Sequence, residues 1–238
     1  MIHARDLSKE YVLKSGAVPA LRGVNLDVKE GEYVSILGPS GSGKTTLFNL
    51  IGGLDTPTRG TVIIDGDDIF AATSSARTTM RCEKIGYIFQ TFNLIEFLTA
   101  AENVALPMAF AGSPREYRMK RARELLERVG LGDRLLHHPS QLSGGQQQRL
   151  AVARALANNP SIILADEPTG NLDLKTGLSV VRLLYRLKAE EGTTVICATH
   201  DLKMIEVSDR IAWLEDGRIQ RIEQRQGVRV TAEDLKQP

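Results

Sequence analysis

The sequence has few cysteines and no long apolar run, and these two absences exclude several classes of protein. Only two of the 238 residues are cysteine, Cys82 and Cys197, so neither a disulfide-stabilised secreted fold nor a cysteine metal site is expected. No apolar run approaches the roughly 18 residues of a membrane-spanning helix, and the first eleven residues, MIHARDLSKEY, lack the apolar core of a secretory signal. We therefore expect a cytoplasmic protein that reaches a membrane only through a partner.

The sequence also lacks an excess of charge of either sign. Thirty basic residues oppose 29 acidic residues, which leaves a net charge of +1. No overall field therefore attracts the chain to nucleic acid or to anionic lipid. A basic run at 115–123 is the local exception, and a solvated helix face accounts for it better than a nucleic-acid site. We predict no nucleic-acid partner.

Short and nearly continuous apolar segments recur along the chain and predict strands that are buried on both faces, as in a parallel sheet. They are YVSILG at 33–38, IGYIF at 85–89, SIILAD at 161–166 and TVICAT at 194–199. Helical segments lie between several of them. In the segment 173–192, Leu178, Val181 and Leu184 form one apolar stripe and Gly192 is the expected end. The pattern predicts an α/β fold.

Two other regions refine this fold. Asp-Gly pairs at 65–66 and 216–217 interrupt alternating segments and predict hairpins, so antiparallel structure should flank the parallel core. Residues 91–160 have helical patterns and no convincing strand. Within them Pro114 suits a first helical turn, an apolar stripe follows, and Gly130 ends the helix; the stripe is Ala122, Leu125, Leu126 and Val129. We expect a single domain over 1–238, with a helical subdomain at 91–160 inserted into a core formed by 1–90 and 161–225.

The segment GPSGSGKTT at 38–46 predicts a phosphate site. It satisfies G-x-x-x-x-G-K-[ST], and it lies between a predicted strand and a predicted helix, as this motif requires. Gly38, Gly41 and Gly43 allow successive backbone amides to face a triphosphate, and the helix dipole adds to the attraction. Lys44 is expected to reach the β and γ phosphates, and Thr45 to offer its hydroxyl to Mg²⁺.

Two adjacent carboxylates lie at the end of the predicted strand IILAD: Asp166 is its last residue, and Glu167 follows it. The strand should bring Asp166 to the sheet edge near the phosphates, where it can hold Mg²⁺ through water. Because neighbouring side chains on an extended chain point in different directions, Glu167 is free for another task. We predict that Glu167 is the catalytic base, which favours hydrolysis over phosphoryl transfer to another substrate.

The segment QLSGGQQQRLAVARAL at 141–156 resembles a helix whose first turn is left open. Ser143 is a natural N-cap, but Gly144 and Gly145 each weaken a first turn by about 1 kcal/mol relative to alanine. Bare backbone amides at a helix N-terminus form an anion site. The stretch is therefore predicted to face a phosphate.

Taken together and in this order, four motifs resemble the ATP-binding cassette (ABC) ATPases over roughly residues 1–225. They are the P-loop at 38–45, LSGGQ at 142–146, IILADE at 162–167, and His200 at the end of a later strand. The resemblance implies a P-loop NTPase (RecA-like) core that binds ATP and Mg²⁺. It also implies a head-to-tail dimer in which ATP lies between the P-loop of one copy and LSGGQ of the other.

The resemblance assigns further roles. Tyr11 matches the aromatic that stacks on adenine, with an ordinary strand-end tyrosine as the alternative. Gln90 matches the glutamine that touches Mg²⁺ or the attacking water and links the site to the helical subdomain. Asp173 matches the aspartate that crosses the dimer interface, and His200 the histidine that contacts the γ-phosphate. The predicted set is catalytic Glu167, His200, Lys44 and Gln90; metal-binding Thr45, Gln90 and Asp166; and nucleotide-binding Tyr11, Gly38, Pro39, Ser40, Gly41, Ser42, Gly43, Lys44, Thr45, Thr46, Ser143, Gly144, Gly145, Gln146 and Asp173.

Local strings narrow the family. GGLDTPTRG, FQTFNLI, ENVALPM and LADEPTGNLD are similar to the group of lipoprotein-releasing and macrolide-exporting ATPases, with the cell-division cassette as a close relative. This implies an ATPase subunit on the inner face of the cell membrane that drives export or extraction through a separate integral membrane permease. The alternatives are a cell-division-type cassette that signals through a membrane partner, a translation or repair cassette, and a P-loop kinase. A polar helix ending in Cys82 and the tail at 227–238 have no assigned role.

Overall fold

The computed structural model describes residues 1–14, 16–200 and 202–225, and the tail at 227–238 lies outside them. The described strands are β1 (Ile2–Leu13), β2 (Gly16–Val28), β3 (Tyr33–Leu37), β4 (Arg59–Ile64), β5 (Asp67–Asp68), β6 (Ile85–Ile88), β7 (Ile162–Asp166), β8 (Thr194–Thr199), β9 (Arg210–Glu215) and β10 (Arg218–Gln224). The α-helices are α1 (Lys44–Ile51), α2 (Ser74–Lys84), α3 (Ala100–Phe110), α4 (Arg115–Arg128), α5 (Gly144–Ala155) and α6 (Leu174–Glu191). Short 3₁₀ helices lie at Pro139–Gln141 and Leu202–Val207.

A six-stranded sheet forms the centre of the fold, in the order β10-β9-β3-β8-β7-β6. All its neighbouring pairs are parallel except β9 and β10. Every residue of β3, β7 and β8 is buried, because the two faces of the sheet belong to two different apolar clusters. Ile163 and Val195 pack with α3 to α6, whereas Leu164 and Ile196 pack with α1 and the second sheet. The predicted parallel α/β core is confirmed.

The second sheet is antiparallel, in the order β2-β1-β4-β5, and it covers the α1 side of the core. The turn between β4 and β5 contains Asp65 and Gly66, and the turn between β9 and β10 contains Asp216 and Gly217. All four residues have positive φ, between 46° and 93°, which is the backbone that two-residue hairpins require. Both predicted hairpins and the antiparallel flank are confirmed.

Residues 91–160 contain α3, α4, α5 and one 3₁₀ turn, and no strand is found among them. Ala122, Leu125 and Leu126 of α4 are buried, and Gly130 has a φ of 72° just after the helix. Pro114 lies one position earlier than predicted, at the N-cap of α4. The end of α5 lies against the sheet, because a Cβ added at Gly86 of β6 would approach the Ala155 carbonyl to 2.4 Å.

The structure corrects two predicted helix features. Leu178 is only partly buried, and the buried stripe of α6 is Val180, Val181, Leu184 and Leu187. Leu178 instead faces a cavity beside the start of α5. Helix α2 continues past Cys82 to Lys84, since β6 begins at the next residue without a loop. None of the helices in the described part of the chain combines the length and apolarity of a membrane span.

The corrected stripe of α6 predicts unequal effects for two identical substitutions. Leu187→Ala should lower the free energy of unfolding by about 2–5 kcal/mol, because it leaves a cavity in the core. Leu178→Ala, the matched control on the same helix, should lower it by less than about 1 kcal/mol. Denaturant unfolding followed by circular dichroism measures both values. Equal losses would mean that Leu178 is part of the core stripe.

Candidate functional site

The P-loop winds around the start of α1. Gly43 is the N-cap residue of α1 with a φ of 103°, and because it lacks a side chain it forms no side-chain capping bond. A Cβ at Gly43 would lie 2.6 Å from the Ala20 carbonyl oxygen, and a Cβ at Gly38 would lie 2.1 Å from that of Leu214. Gly41 has a φ of 80° and no neighbour within 4 Å of the added Cβ. Two of the glycines are thus required by close packing, and Gly41 is required by its backbone.

Lys44 lies across the P-loop. Its ammonium group donates to the Gly38 carbonyl at 2.8 Å and to the Pro39 carbonyl at 3.1 Å. It also lies 3.5 Å from Glu167 Oε1. The lysine is 6% exposed, so its charge is screened little by solvent and is available to an anion at this loop.

Asp166 and Glu167 leave the end of β7 in different environments. The Thr45 hydroxyl forms a hydrogen bond with Asp166, and burial raises the pKa of the Asp166 carboxyl, helped by the negative charge of Glu167. The sequence analysis treated Glu167 as part of an extended chain, but in the structure its φ is 46°. This left-handed turn, and not strand alternation, directs its carboxylate to Lys44 and to His200, whose Nδ1 lies 3.2 Å from Oε2.

One cavity of about 550 Å³ collects most of the predicted P-loop, catalytic and metal residues. The predicted residues that line it are Ser40, Gly41, Gly43, Lys44, Thr45, Thr46, Gln90, Glu167 and His200. Ala20 of β2 also lines the cavity, and no sequence signal identified it. Ser42 does not: its side chain is buried, and its hydroxyl has no hydrogen-bond partner among the described residues. Gly38 and Pro39 contribute their carbonyls to Lys44 and do not line the cavity.

The oxygen atoms of Thr45 and Asp166 suit Mg²⁺. The described residues contain no group of three or more His, Cys, Asp or Glu side chains that could hold a metal ion alone. Mg²⁺ commonly binds through one or two carboxylates together with water and substrate phosphates. One hydroxyl and one carboxylate in contact, beside a phosphate loop, fit that mode of binding.

Part of the LSGGQ motif lines a different cavity of about 930 Å³, whereas Gly144 does not line it. Ser143, Gly145, Gln146 and Asp173 all line it, together with residues that the sequence analysis missed: Arg149, Leu174, Lys175, Thr176, Leu178, Ser179 and Arg182. Asp173 is the N-cap of α6, and hydrogen bonds from the side chain and the amide of Thr176 lower the pKa of its carboxyl. The structure therefore places most of the predicted site residues in two separate cavities on one chain.

The first turn of α5 is less open than its sequence indicates. Ser143 Oγ accepts a hydrogen bond from the Gln146 amide at 3.4 Å, and Gln146 Oε1 accepts one from the Ser143 amide at 2.9 Å. This capping box satisfies two of the backbone donors. The amides of Gly144 and Gly145 have no acceptor among the described residues and are the donors left for an anion.

The two glycines of LSGGQ are required for different reasons. A Cβ at Gly145 would lie 2.3 Å from Cγ2 of Thr176 on α6, whereas a Cβ at Gly144 would meet nothing within 4 Å. Gly145 therefore allows α5 and α6 to pack closely. Gly144 has no such packing role, and it is exposed to solvent, as Ser143 is.

Tyr11 lines neither cavity. Its hydroxyl donates to Asp55 Oδ2 at 3.0 Å, and the Lys9 ammonium lies 5.0 Å from the centre of its ring and 2.7 Å from Asp55 Oδ1. These contacts fix the ring at the end of α1 that is farther from the P-loop. Its predicted role with adenine stays a prediction.

Several known proteins are similar to this chain in sequence or in structure. Residues 21–170 match the ABC transporter family. The chain is 46% identical to the lipoprotein-releasing system ATP-binding protein LolD 2 of Caulobacter vibrioides, over 91% of this chain and 95% of that protein. It is 48% identical to the macrolide export ATP-binding/permease protein MacB of Syntrophobacter fumaroxidans, over 92% of this chain and 31% of MacB. The dimeric, ADP- and Pi-bound structure of the cassette MJ0796 of Methanocaldococcus jannaschii is 48% identical with a TM-score of 0.90, over 96% of this chain and 100% of that one.

The contact between Gly145 and Thr176 predicts a rescue experiment. Gly145→Ala should lower the free energy of unfolding by about 1–3 kcal/mol, because the new methyl group forces α5 away from α6. Thr176→Ser removes the opposing methyl group and should restore most of this loss in the double variant. Gly144→Ala, the matched control, should leave the stability unchanged or raise it by up to about 1 kcal/mol. Denaturant titration measures all three, and a stable Gly145→Ala protein would contradict the assigned packing role.

Proposed function

Because the chain belongs to the ABC transporter family and is an ATPase, we propose that it works as a head-to-tail dimer that hydrolyses ATP for a membrane transporter. The observation that carries this proposal is the separation of the P-loop cavity from the LSGGQ cavity. The P-loop cavity is lined by Lys44 and other P-loop residues and by none of the LSGGQ residues. A second copy, turned by a twofold axis, would place its Ser143 and Gly144 opposite the P-loop. Each of the two sites is then completed by both chains.

We assign the phosphates of ATP to the P-loop. Lys44 would exchange the carbonyls of Gly38 and Pro39 for phosphate oxygens, because a charge-assisted bond to phosphate is stronger than a bond to a neutral carbonyl. Thr45 and Asp166 would hold Mg²⁺, which when bound neutralises part of the phosphate charge. Tyr11 would stack on the adenine after a local rearrangement of β1.

Glu167 is the proposed base. Its carboxylate contacts Lys44 on one oxygen and His200 on the other. When Lys44 turns towards the phosphates, Glu167 loses a cationic partner and becomes a better acceptor for a proton from water. His200 would hold the second carboxylate oxygen and contact the γ-phosphate, while Gln90 orients the water. ATP shifts the chains towards the closed dimer only if it binds that form more tightly, and the composite sites supply the additional contacts.

We propose that the partner is a separate integral membrane permease, which would hold the dimer at the inner face of the cell membrane for export or extraction of a substrate. The names of the relatives LolD and MacB support this assignment. A groove between α3 and β6 supplies a surface for such a partner. Its cavity of about 240 Å³ is lined by Leu106, Pro107 and Phe89, and it is bordered by Phe110 at 75% exposure and Leu54 at 48%.

The assignment of Glu167 predicts a separation of binding from turnover. Glu167→Gln should bind ATP, accumulate as an ATP-dependent dimer and lose turnover by about 10²- to 10⁴-fold. Size-exclusion chromatography with ATP and phosphate release measure the two effects. Glu190→Gln, on the exposed end of α6, is the matched control and should behave as wild type. Rapid hydrolysis by Glu167→Gln, or full turnover by a strictly monomeric preparation, would contradict the proposal.

The groove predicts which surface holds the membrane partner. In co-expression with a candidate permease that co-purifies with the wild-type chain, Leu54→Asp should reduce the co-purified permease at least tenfold, because it places a charge in the apolar contact. Leu13→Asp, at a similarly exposed leucine outside the groove, is the control. Equal recovery with both variants would exclude the groove. Co-purification without any ATP-driven transport would favour the signalling alternative.

A further inference from the structure

The turn after Gln90 is held in a conformation that its own residues disfavour. Phe92 and Asn93 are consecutive and both left-handed, with φ of 60° and 50°. For residues other than glycine this conformation costs roughly 1–2 kcal/mol each, and less for asparagine. Such a turn persists only where neighbouring groups hold it.

Arg154 holds this turn from the last turn of α5. Its Nη2 donates to the Phe92 carbonyl at 2.7 Å, and its Nη1 donates to the Asn93 carbonyl. One planar guanidinium therefore binds both left-handed residues at once, which a lysine cannot do in the same geometry.

Arg154 has no counter-ion among the side chains that the structure describes. Burial lowers its pKa to about 10. Placing an unpaired guanidinium in such surroundings is unfavourable unless its donors are used. The two carbonyls accept bonds from two of these donors, so the half-buried guanidinium is linked to the turn by a bidentate contact.

Further hydrogen bonds tie Gln90 and the segment after α5 to neighbouring parts of the chain. The Gln90 carbonyl accepts a bond from Asn171 Nδ2 at 2.9 Å, so Gln90 is tied to the loop that follows Glu167. Arg154 lies on the same helix as Ser143 and Gly144, about 18 Å long at 1.5 Å per residue. Beyond the helix, Asn158 Nδ2 donates to the carbonyls of Cys82 and Pro107.

We propose that Arg154 is a positioning residue that couples the start of α5 to Gln90, so that contact of LSGGQ with the partner's ATP adjusts the glutamine in the chain's own site. The inference rests on the proposed function, since it uses the assigned roles of Gln90 and of LSGGQ. Because α5 is one continuous helix, a displacement at Ser143 moves the guanidinium and the two carbonyls with it. Two sites on one chain would thus share a coupling free energy through one contact.

The test is a double-mutant cycle with Gln90. Arg154→Met should lower kcat about tenfold or more, change the affinity for ATP less than threefold, and raise the Mg²⁺ concentration needed for half-maximal rate. Arg154→Lys should fall between Arg154→Met and wild type. In a Gln90→Ala background, Arg154→Met should reduce kcat by less than twofold, because the group through which it acts is already removed.

The control is Arg121→Met, the same change on α4, where the guanidinium bonds the Asn159 side chain and not the Gln90 turn. It should leave kcat and the Mg²⁺ dependence within twofold of wild type, and thermal melting checks that all variants fold. The inference would be overturned if the losses in kcat multiply in the double variant, or if the Arg154→Met protein is as active as Arg121→Met. Turnover and ATP-dependent dimerisation of the wild-type protein would in that case leave the proposed function intact. An inert Gln90→Ala substitution would instead overturn the role of Gln90, and with it this coupling.

Discussion

The parallel pairing of β3, β8 and β7 is the constraint on which the rest of the site depends. Leu37 pairs with Thr199, and Asp166 pairs with Ala198, so the three strands end at the same edge of the sheet. The next residues along each strand are the P-loop, His200 and Glu167. The P-loop, a histidine and a carboxylate come from distant parts of the sequence, and they meet at this edge because their strands are neighbours in the sheet. Burial of all three strands on both faces keeps this edge rigid.

The same sheet framework keeps the P-loop and the LSGGQ motif apart on one chain. The P-loop is fixed to the sheet edge by β3, whereas LSGGQ lies at the start of α5, held by its own capping box and by close contact between Gly145 and Thr176. Two surfaces anchored in this way suit the proposed head-to-tail dimer, in which a second chain would complete each site.

Elements that depend on local pattern could be predicted from the sequence, and features that depend on packing partners could not. The buried strands, both Asp-Gly hairpins and the helix termination at Gly192 follow from composition and spacing along a few residues. The exposure of Leu178 depends on where α5 lies, which the period of α6 does not reveal. Similarly, two glycines in LSGGQ read alike in sequence, yet only Gly145 has a methyl group of another helix against it.

Backbone strain gives a further reason to regard the Gln90 turn and Glu167 as parts of one site. Seven described residues other than glycine have positive φ, and five of them are Asn or Asp, which tolerate this backbone. The remaining two are Glu167 and Phe92. The Glu167 amide donates a hydrogen bond to the Ala198 carbonyl at 2.9 Å, and the Glu167 carboxylate contacts Lys44. Phe92 is held by the hydrogen bond from Arg154 to its carbonyl. Glu and Phe adopt this backbone conformation only where the surrounding structure holds them in it. In the proposed mechanism, a phosphate that withdraws Lys44 would therefore relax the backbone at Glu167 and shift its carboxylate. A displacement of α5 would in the same way relax the backbone at Phe92 and shift the Gln90 turn.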